Sequence, residues 1–154
     1  MIMTYIYRFL SLVINTIAIL LTFSFFVSIP MLISSPVTLF SAFLIVSVIL
    51  YSWFSYQFRR DVLQRHLVVK LSLRDWVRVN GFVSLFFSVL CIVNVLYLLQ
   101  HPQIFDEALN EYKFAITTDK IFGIFYGMMA YGCILLTHIL WTFALMKKNE
   151  AFFK

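Results

Sequence analysis

Four long apolar stretches follow one another along the chain, each roughly twenty or more residues in length. They cover residues 6–29, 37–58, 77–99 and 121–146, and Asp, Glu, Lys and Arg are absent except near their ends. Such a length crosses the hydrocarbon core of a bilayer at helical rise, and lipid offers backbone groups no partner outside the helix. The pattern therefore predicts an all-α integral membrane protein, a four-helix transmembrane bundle with up-down-up-down topology that forms a single domain over residues 1–154.

Two longer segments connect the predicted helices. Segment 59–76 carries most of the basic residues, and Ser72 followed by Asp75 resembles a capping box that would start the third helix near Leu73. In segment 102–118, apolar residues recur at helical spacing opposite acidic and amide residues, which predicts an outer amphipathic helix between helices three and four. The first connection is expected to be a tight turn, with Ser35 as N-cap and Pro36 at the first helical position.

The distribution of basic residues predicts how the chain is oriented in the membrane. Ten of the twelve basic residues lie on one predicted side of the membrane: Arg8 near the start of the first span, six residues from Arg59 to Arg78, and Lys147, Lys148 and Lys154 after the fourth span. Only three acidic residues accompany them. By the positive-inside rule this side faces the cytoplasm, so both termini are expected to be cytoplasmic, in a bacterial inner membrane. The same rule explains the net charge of +5, and no nucleic-acid partner is implied. The basic loop could also rest on anionic lipids.

His138 is the one histidine that lies within a predicted span, and it is the plausible site residue there. Buried carboxylates and cations are missing there, which argues against an ion-coupled transporter, a voltage sensor or an intramembrane carboxylate protease. Asn15 lies at a similar depth and is the expected hydrogen-bond partner of His138. The histidine is expected to be a packing residue more often than a ligand. As a haem ligand it would need a second histidine from another chain, because no other span contains one.

Polar and small residues within the spans supply two candidate sites. The first is a polar pocket among the helices, formed by Asn15, Asn94, Thr137 and His138. The second is a helix-packing or interface surface, since small residues let another backbone approach closely. Its members are Gly81, Ser84 and Ser88 on the third helix and the GxxxG pair Gly123 and Gly127 on the fourth.

These features favour a non-enzymatic protein that acts through helix contacts, as an accessory, structural or assembly subunit of a larger membrane complex or by self-association. The alternatives are a small-molecule or lipid binder or transporter that uses the polar pocket, and a haem-bearing redox subunit that uses His138. No catalytic or metal-binding motif occurs, and an enzyme ranks last because the spans lack an identifiable nucleophile and base.

Overall fold

A computed structural model describes residues 2–32, 36–101, 103 and 118–154. Four long helices make up most of it: α1 (Ile2–Leu32), α2 (Pro36–Phe58), α3 (Leu71–Gln100) and α4 (Thr118–Lys148). All four are long and apolar enough to cross a membrane, as the pattern of apolar stretches predicts. The protein is therefore all-helical, and its architecture is compatible with a four-helix membrane bundle. The predicted outer amphipathic helix over 102–118 lies outside the described residues except at its edges.

The helices pack in chain order around the bundle. α2 contacts both α1 and α3, α3 contacts α4, and a smaller contact joins α4 to α1. At one end, Arg59 donates a hydrogen bond to the backbone oxygen of Arg8, and Val69 pairs with Phe153. The start of α1, the link between α2 and α3, and the C-terminus thus share this end, which we call the basic end.

The link between α2 and α3 is shorter than the predicted basic loop over 59–76. Arg59–Gln64 continues α2 as a π-helical turn, and α3 already begins at Leu71, so only residues 65–70 are not helical. Lys70 is the N-cap of α3 and makes no side-chain cap bond. The predicted capping box is therefore wrong, because Ser72 lies inside the first turn. Charged side chains can remain helical at an interface, where their head groups reach water.

The C-terminal segment is attached to this link. After a 3₁₀ turn over Glu150–Phe152, the amide of Lys154 donates to the oxygen of Val69 at 3.0 Å, and the amide of Val69 donates to the oxygen of Phe152 at 2.8 Å. The Phe153 ring stacks on Phe58 at a centroid distance of 6.0 Å. These contacts tie the end of the chain across the basic end of the bundle.

The tightly packed core lies mainly in the half of the bundle next to the basic end. Its members are buried aliphatic and aromatic residues from all four helices, the π-turn and the C-terminal segment: Ile14, Val48, Tyr51, Phe58, Val62, Val77, Leu135, Ile139, Met146 and Phe153. In the far half, grooves lined by apolar side chains open between the described helices. The described part of the bundle is therefore packed most tightly near its basic end.

Candidate functional site

A buried polar cluster joins three helices in the basic half of the bundle. It consists of Tyr7 on α1, Tyr51 on α2, and His138 and Thr142 on α4, each of which is at most 2% exposed. The Tyr7 ring stacks on the imidazole at 4.8 Å with an interplanar angle of 6°, and the Tyr51 ring meets it edge-on at 5.8 Å. Because His138 and Thr142 are four residues apart, both project from the same face of α4.

The hydrogen bonds of this cluster can be assigned almost completely. Thr142 Oγ1 donates to the backbone oxygen of His138 at 2.7 Å, so its lone pairs are free to accept from Tyr7 Oη and Tyr51 Oη, each at 3.0 Å. Tyr51 Oη then accepts from Nδ1–H of His138 at 2.8 Å. Every donor in the cluster is satisfied by this arrangement, which assigns the Nδ1-protonated imidazole.

One atom of the cluster remains without a hydrogen bond. Nε2 of His138 is buried and has no partner among the described residues. In the tautomer assigned above it carries a lone pair, which is less costly to bury unpaired than an N–H donor. The alternative tautomer would leave an unpaired N–H donor at this position. The cluster is therefore a nearly self-contained network that connects α1, α2 and α4.

The structure does not bring the four residues of the predicted polar pocket together. Asn15 accepts a hydrogen bond from Ser52 at 2.6 Å rather than pairing with His138. Thr137 is exposed on the outside of α4 and donates to the oxygen of Cys133. Asn94 is exposed in the far half, where it lines a groove with residues of α2, α3 and α4. A similar depth along the predicted spans did not show which side chains are in contact. The reason is that the helices turn these four side chains in different directions.

Haem binding by His138 stays a prediction. Nε2 is the ring nitrogen that is free to bind a metal, which is the chemistry an axial ligand needs. The imidazole is completely buried, however, and Tyr7 covers one face of its ring. A haem at this nitrogen would have to displace neighbouring side chains, and the two other histidines, His66 and His101, are exposed outside the spans.

Small residues on α3 and α4 allow these two helices to approach closely. A Cβ on Gly132 would lie 3.0 Å from Ile92 Cγ1 and 3.2 Å from the backbone oxygen of Ser88, and a Cβ on Gly81 would lie 2.7 Å from the Phe143 ring. Ser84 and Ser88 are fully buried on the same face of α3 as Gly81. The predicted small-residue surface of α3 thus packs within the chain.

The other two glycines have open space beside them. A Cβ on Gly123 or Gly127 would meet no described atom within 4 Å. Gly127 lines an apolar groove of about 360 Å³ with residues of α1, α3 and α4: Ile17, Leu21, Phe87, Cys91, Ile124, Met128 and Tyr131. We call this cavity the far groove. The glycine pair of α4 is therefore not used for packing by the part of the chain that the structure describes.

Sequence reasoning did not identify Tyr51, Thr142 or Gly132. A tyrosine hydroxyl in the interior of a span needs a hydrogen-bond partner, which is a signal for Tyr51. The spacing of four residues between His138 and Thr142 is a second signal. Tyr7, close to the start of α1, is also buried, at 2% exposed.

The buried cluster forms hydrogen bonds between helices, and the far groove is lined by apolar side chains. Within the described residues there is no group of three His, Cys, Asp or Glu side chains that could hold a metal ion. No protein-family model, curated protein or solved structure matches the chain. Its own geometry is therefore the basis for any functional assignment.

Proposed function

We propose that this chain is a non-enzymatic multi-pass membrane protein that acts through helix contacts, as an accessory or assembly subunit of a larger membrane complex. The observation that carries the proposal is the open glycine pair on α4. Gly81 and Gly132 are in contact with side chains or backbone of neighbouring helices, whereas Gly123 and Gly127 have none within reach of a Cβ among the described residues. Glycine lowers helix stability by about 1 kcal/mol relative to alanine. Close packing of another helix against the two glycines would offset this cost.

The expected partner is a transmembrane helix of another subunit. The far groove beside Gly127 is lined almost entirely by apolar side chains, which suits the dispersion contacts that drive helix association in lipid. A polar ligand would find few hydrogen-bond partners there. A partner helix would pack its own small or aliphatic residues against Gly123 and Gly127.

The proposal also includes the orientation of the chain in the membrane. We place the basic end in the cytoplasm, with both termini there and with up-down-up-down crossing of a bacterial inner membrane, because ten of the twelve basic residues belong to that end. On this orientation the far groove lies in the outer leaflet. The partner is then recognised within the membrane, on the side opposite to the chain ends.

Gly127→Leu is the direct test of this interface. The leucine side chain would fill the groove and prevent close approach, so we expect loss of most of the partner or of the self-associated form while membrane insertion is kept. The protein is tagged at native expression level and purified in mild detergent, and mass spectrometry identifies and quantifies what co-purifies. An absorption spectrum of the same eluate tests the haem alternative, for which a Soret band is expected.

Cys133→Leu is the matched control. Cys133 is also small and exposed on α4, but it lies about 120° around the helix from Gly127 at 3.6 residues per turn. We expect association to survive this change. Equal association of the Gly127→Leu and wild-type proteins would refute the interface, and a solitary wild-type protein would refute the subunit assignment.

A further inference from the structure

Another groove lies along the contact between α1 and α2. It has a volume of about 250 Å³ and is lined by Asn15, Ala18, Ile19, Thr22, Ile49, Ser52, Trp53 and Tyr56. We call it the seam groove. The hydrogen bond from Ser52 to Asn15 forms part of its wall. Its other lining side chains are mostly apolar, and Trp53 is 62% exposed, so the groove opens toward the surface that faces lipid.

Two arginines lie beyond the end of this groove nearest the basic end. Arg8 is seven residues before Asn15 and Arg59 seven residues after Ser52, so each lies on nearly the same helix face as that lining residue. The Arg8 guanidinium is 6.0 Å from the centroid of the Tyr5 ring. Arg59 Nη1 is 3.4 Å from the backbone oxygen of Arg8, and the Arg59 guanidinium lies over the Tyr56 ring, 5.1 Å from its centroid. Tyr56 also lines the seam groove. The order along the two antiparallel helices is therefore the arginine pair, Tyr56, the Ser52–Asn15 hydrogen bond, and then the apolar part of the groove.

The charge of these two arginines is not neutralised by the described protein. Three carboxylates at the basic end make ion pairs, and all of these are with other arginines: Asp61 with Arg60 and Arg65, and Asp75 and Glu150 with Arg74. The buried Nε of Arg59 has no hydrogen-bond partner among the described residues. An incoming anion would therefore meet the terminal nitrogens of this half-buried guanidinium. A guanidinium favours an anion that can accept two hydrogen bonds.

We propose that the seam groove binds an anionic phospholipid, with its phosphate held by Arg8 and Arg59 and one acyl chain along Ala18, Ile49 and Trp53. The Ser52–Asn15 pair then lies beside the acyl chain, seven residues or about 10 Å from Arg59 along the helix axis. The dimensions agree. Ten residues from Ile49 to Arg59 span about 15 Å at helical rise, and one leaflet of the hydrocarbon core is about as thick.

This site differs from general attraction of the basic end to an acidic membrane. Surface attraction acts on every cation near the headgroups, at about the same strength for each. The seam site instead needs one particular pair of arginines and an open groove beneath them. It is also separate from the far groove, which opens between α1, α3 and α4, because the two grooves share no lining residue.

Quenching of Trp53 fluorescence measures lipid binding at this place. The Trp76→Phe and Trp141→Phe changes leave Trp53 as the one remaining tryptophan of the three in the chain. The protein is placed in phosphatidylcholine vesicles that contain either brominated phosphatidylglycerol or brominated phosphatidylcholine. We expect the anionic lipid to be preferred at Trp53 by about fivefold or more, and Arg8→Gln with Arg59→Gln to reduce this ratio to about one.

Two further variants separate the site from its alternatives. Lys147→Gln with Lys148→Gln removes the same charge from exposed positions on α4 at the same end, and the preference should be kept. Thr22→Phe narrows the groove without changing charge, and the preference should fall. Equal quenching by the two lipids, or an equal loss in the lysine variant, would overturn the proposal. If the tryptophan variants do not fold, counting bound phosphatidylglycerol on the wild-type and arginine-variant proteins by native mass spectrometry decides the same question.

Discussion

Removing the Tyr51 hydroxyl should destabilise the bundle more than removing the Tyr7 hydroxyl. Tyr51 Oη contacts both His138 Nδ1, at 2.8 Å, and Thr142 Oγ1, at 3.0 Å. Tyr7 Oη contacts only Thr142. Tyr51→Phe therefore removes two interhelical hydrogen bonds and leaves Nδ1–H of His138 with only a distant acceptor, Thr142 Oγ1 at 3.5 Å. Tyr7→Phe removes one, and Thr142 keeps its own bond to the backbone of His138.

The magnitudes follow from the number of bonds lost. Interhelical hydrogen bonds in membrane proteins contribute about 0.6 kcal/mol on average and at most about 1.7 kcal/mol. Tyr7→Phe should cost about 0.6 kcal/mol. Tyr51→Phe should cost about 2 kcal/mol, since the two bonds are lost and a buried donor is left poorly paired, which adds on the order of 1 kcal/mol. Both changes keep the aromatic ring, so the packing against His138 is retained.

Unfolding in mixed detergent micelles, followed by circular dichroism as sodium dodecyl sulfate is increased, measures these differences. A double-mutant cycle of Tyr51→Phe with Thr142→Val should show coupling, because the two side chains share one hydrogen bond. Equal free energies of unfolding for Tyr51→Phe and Tyr7→Phe, or no coupling in the cycle, would show that the assigned network is not formed.

Two further predictions concern packing within the chain. Gly132→Ala should destabilise the bundle by about 1–3 kcal/mol, because its Cβ would meet the backbone oxygen of Ser88 at 3.2 Å. Gly123→Ala is the control, since no described atom lies within 4 Å of its Cβ position. It should be neutral or slightly stabilising in the same unfolding assay. Phe153→Ala should release the C-terminal segment, since it removes the buried ring that stacks on Phe58. Faster hydrogen exchange at the amides of Val69 and Lys154 would report this release, and unchanged exchange would contradict it; Glu150→Gln, at an exposed ion pair, is the control.

The sequence predicted the four helices because their signal is strong and local. A long apolar stretch without charges has few alternatives to a membrane-spanning helix, and the helix ends follow where charges or prolines begin. The prediction erred where charge was taken to mean a loop. Arg59–Gln64 remains helical, since arginines at a membrane surface can extend their side chains to water without leaving the helix.

The neighbours of each polar side chain were much harder to predict. In soluble proteins the apolar face of a helix shows which side is buried, but a helix in lipid is apolar on all sides and gives no such indication. His138 was therefore assigned Asn15 by depth alone, whereas it contacts Tyr51 and Thr142. The rotation of each helix follows from packing, and small residues such as Gly132 control it through contacts that no local pattern reveals.

The buried polar cluster and the far groove can be tested independently, because they lie far apart on the same helix. His138 and Gly127 are eleven residues apart on α4, about 16 Å along its axis. The cluster and the C-terminal segment stabilise the basic half, so a leucine at Gly127 should leave the free energy of unfolding nearly unchanged while it reduces association. If Gly127→Leu instead unfolds the protein, the space beside that glycine is filled by the chain itself, and the proposed partner interface is wrong.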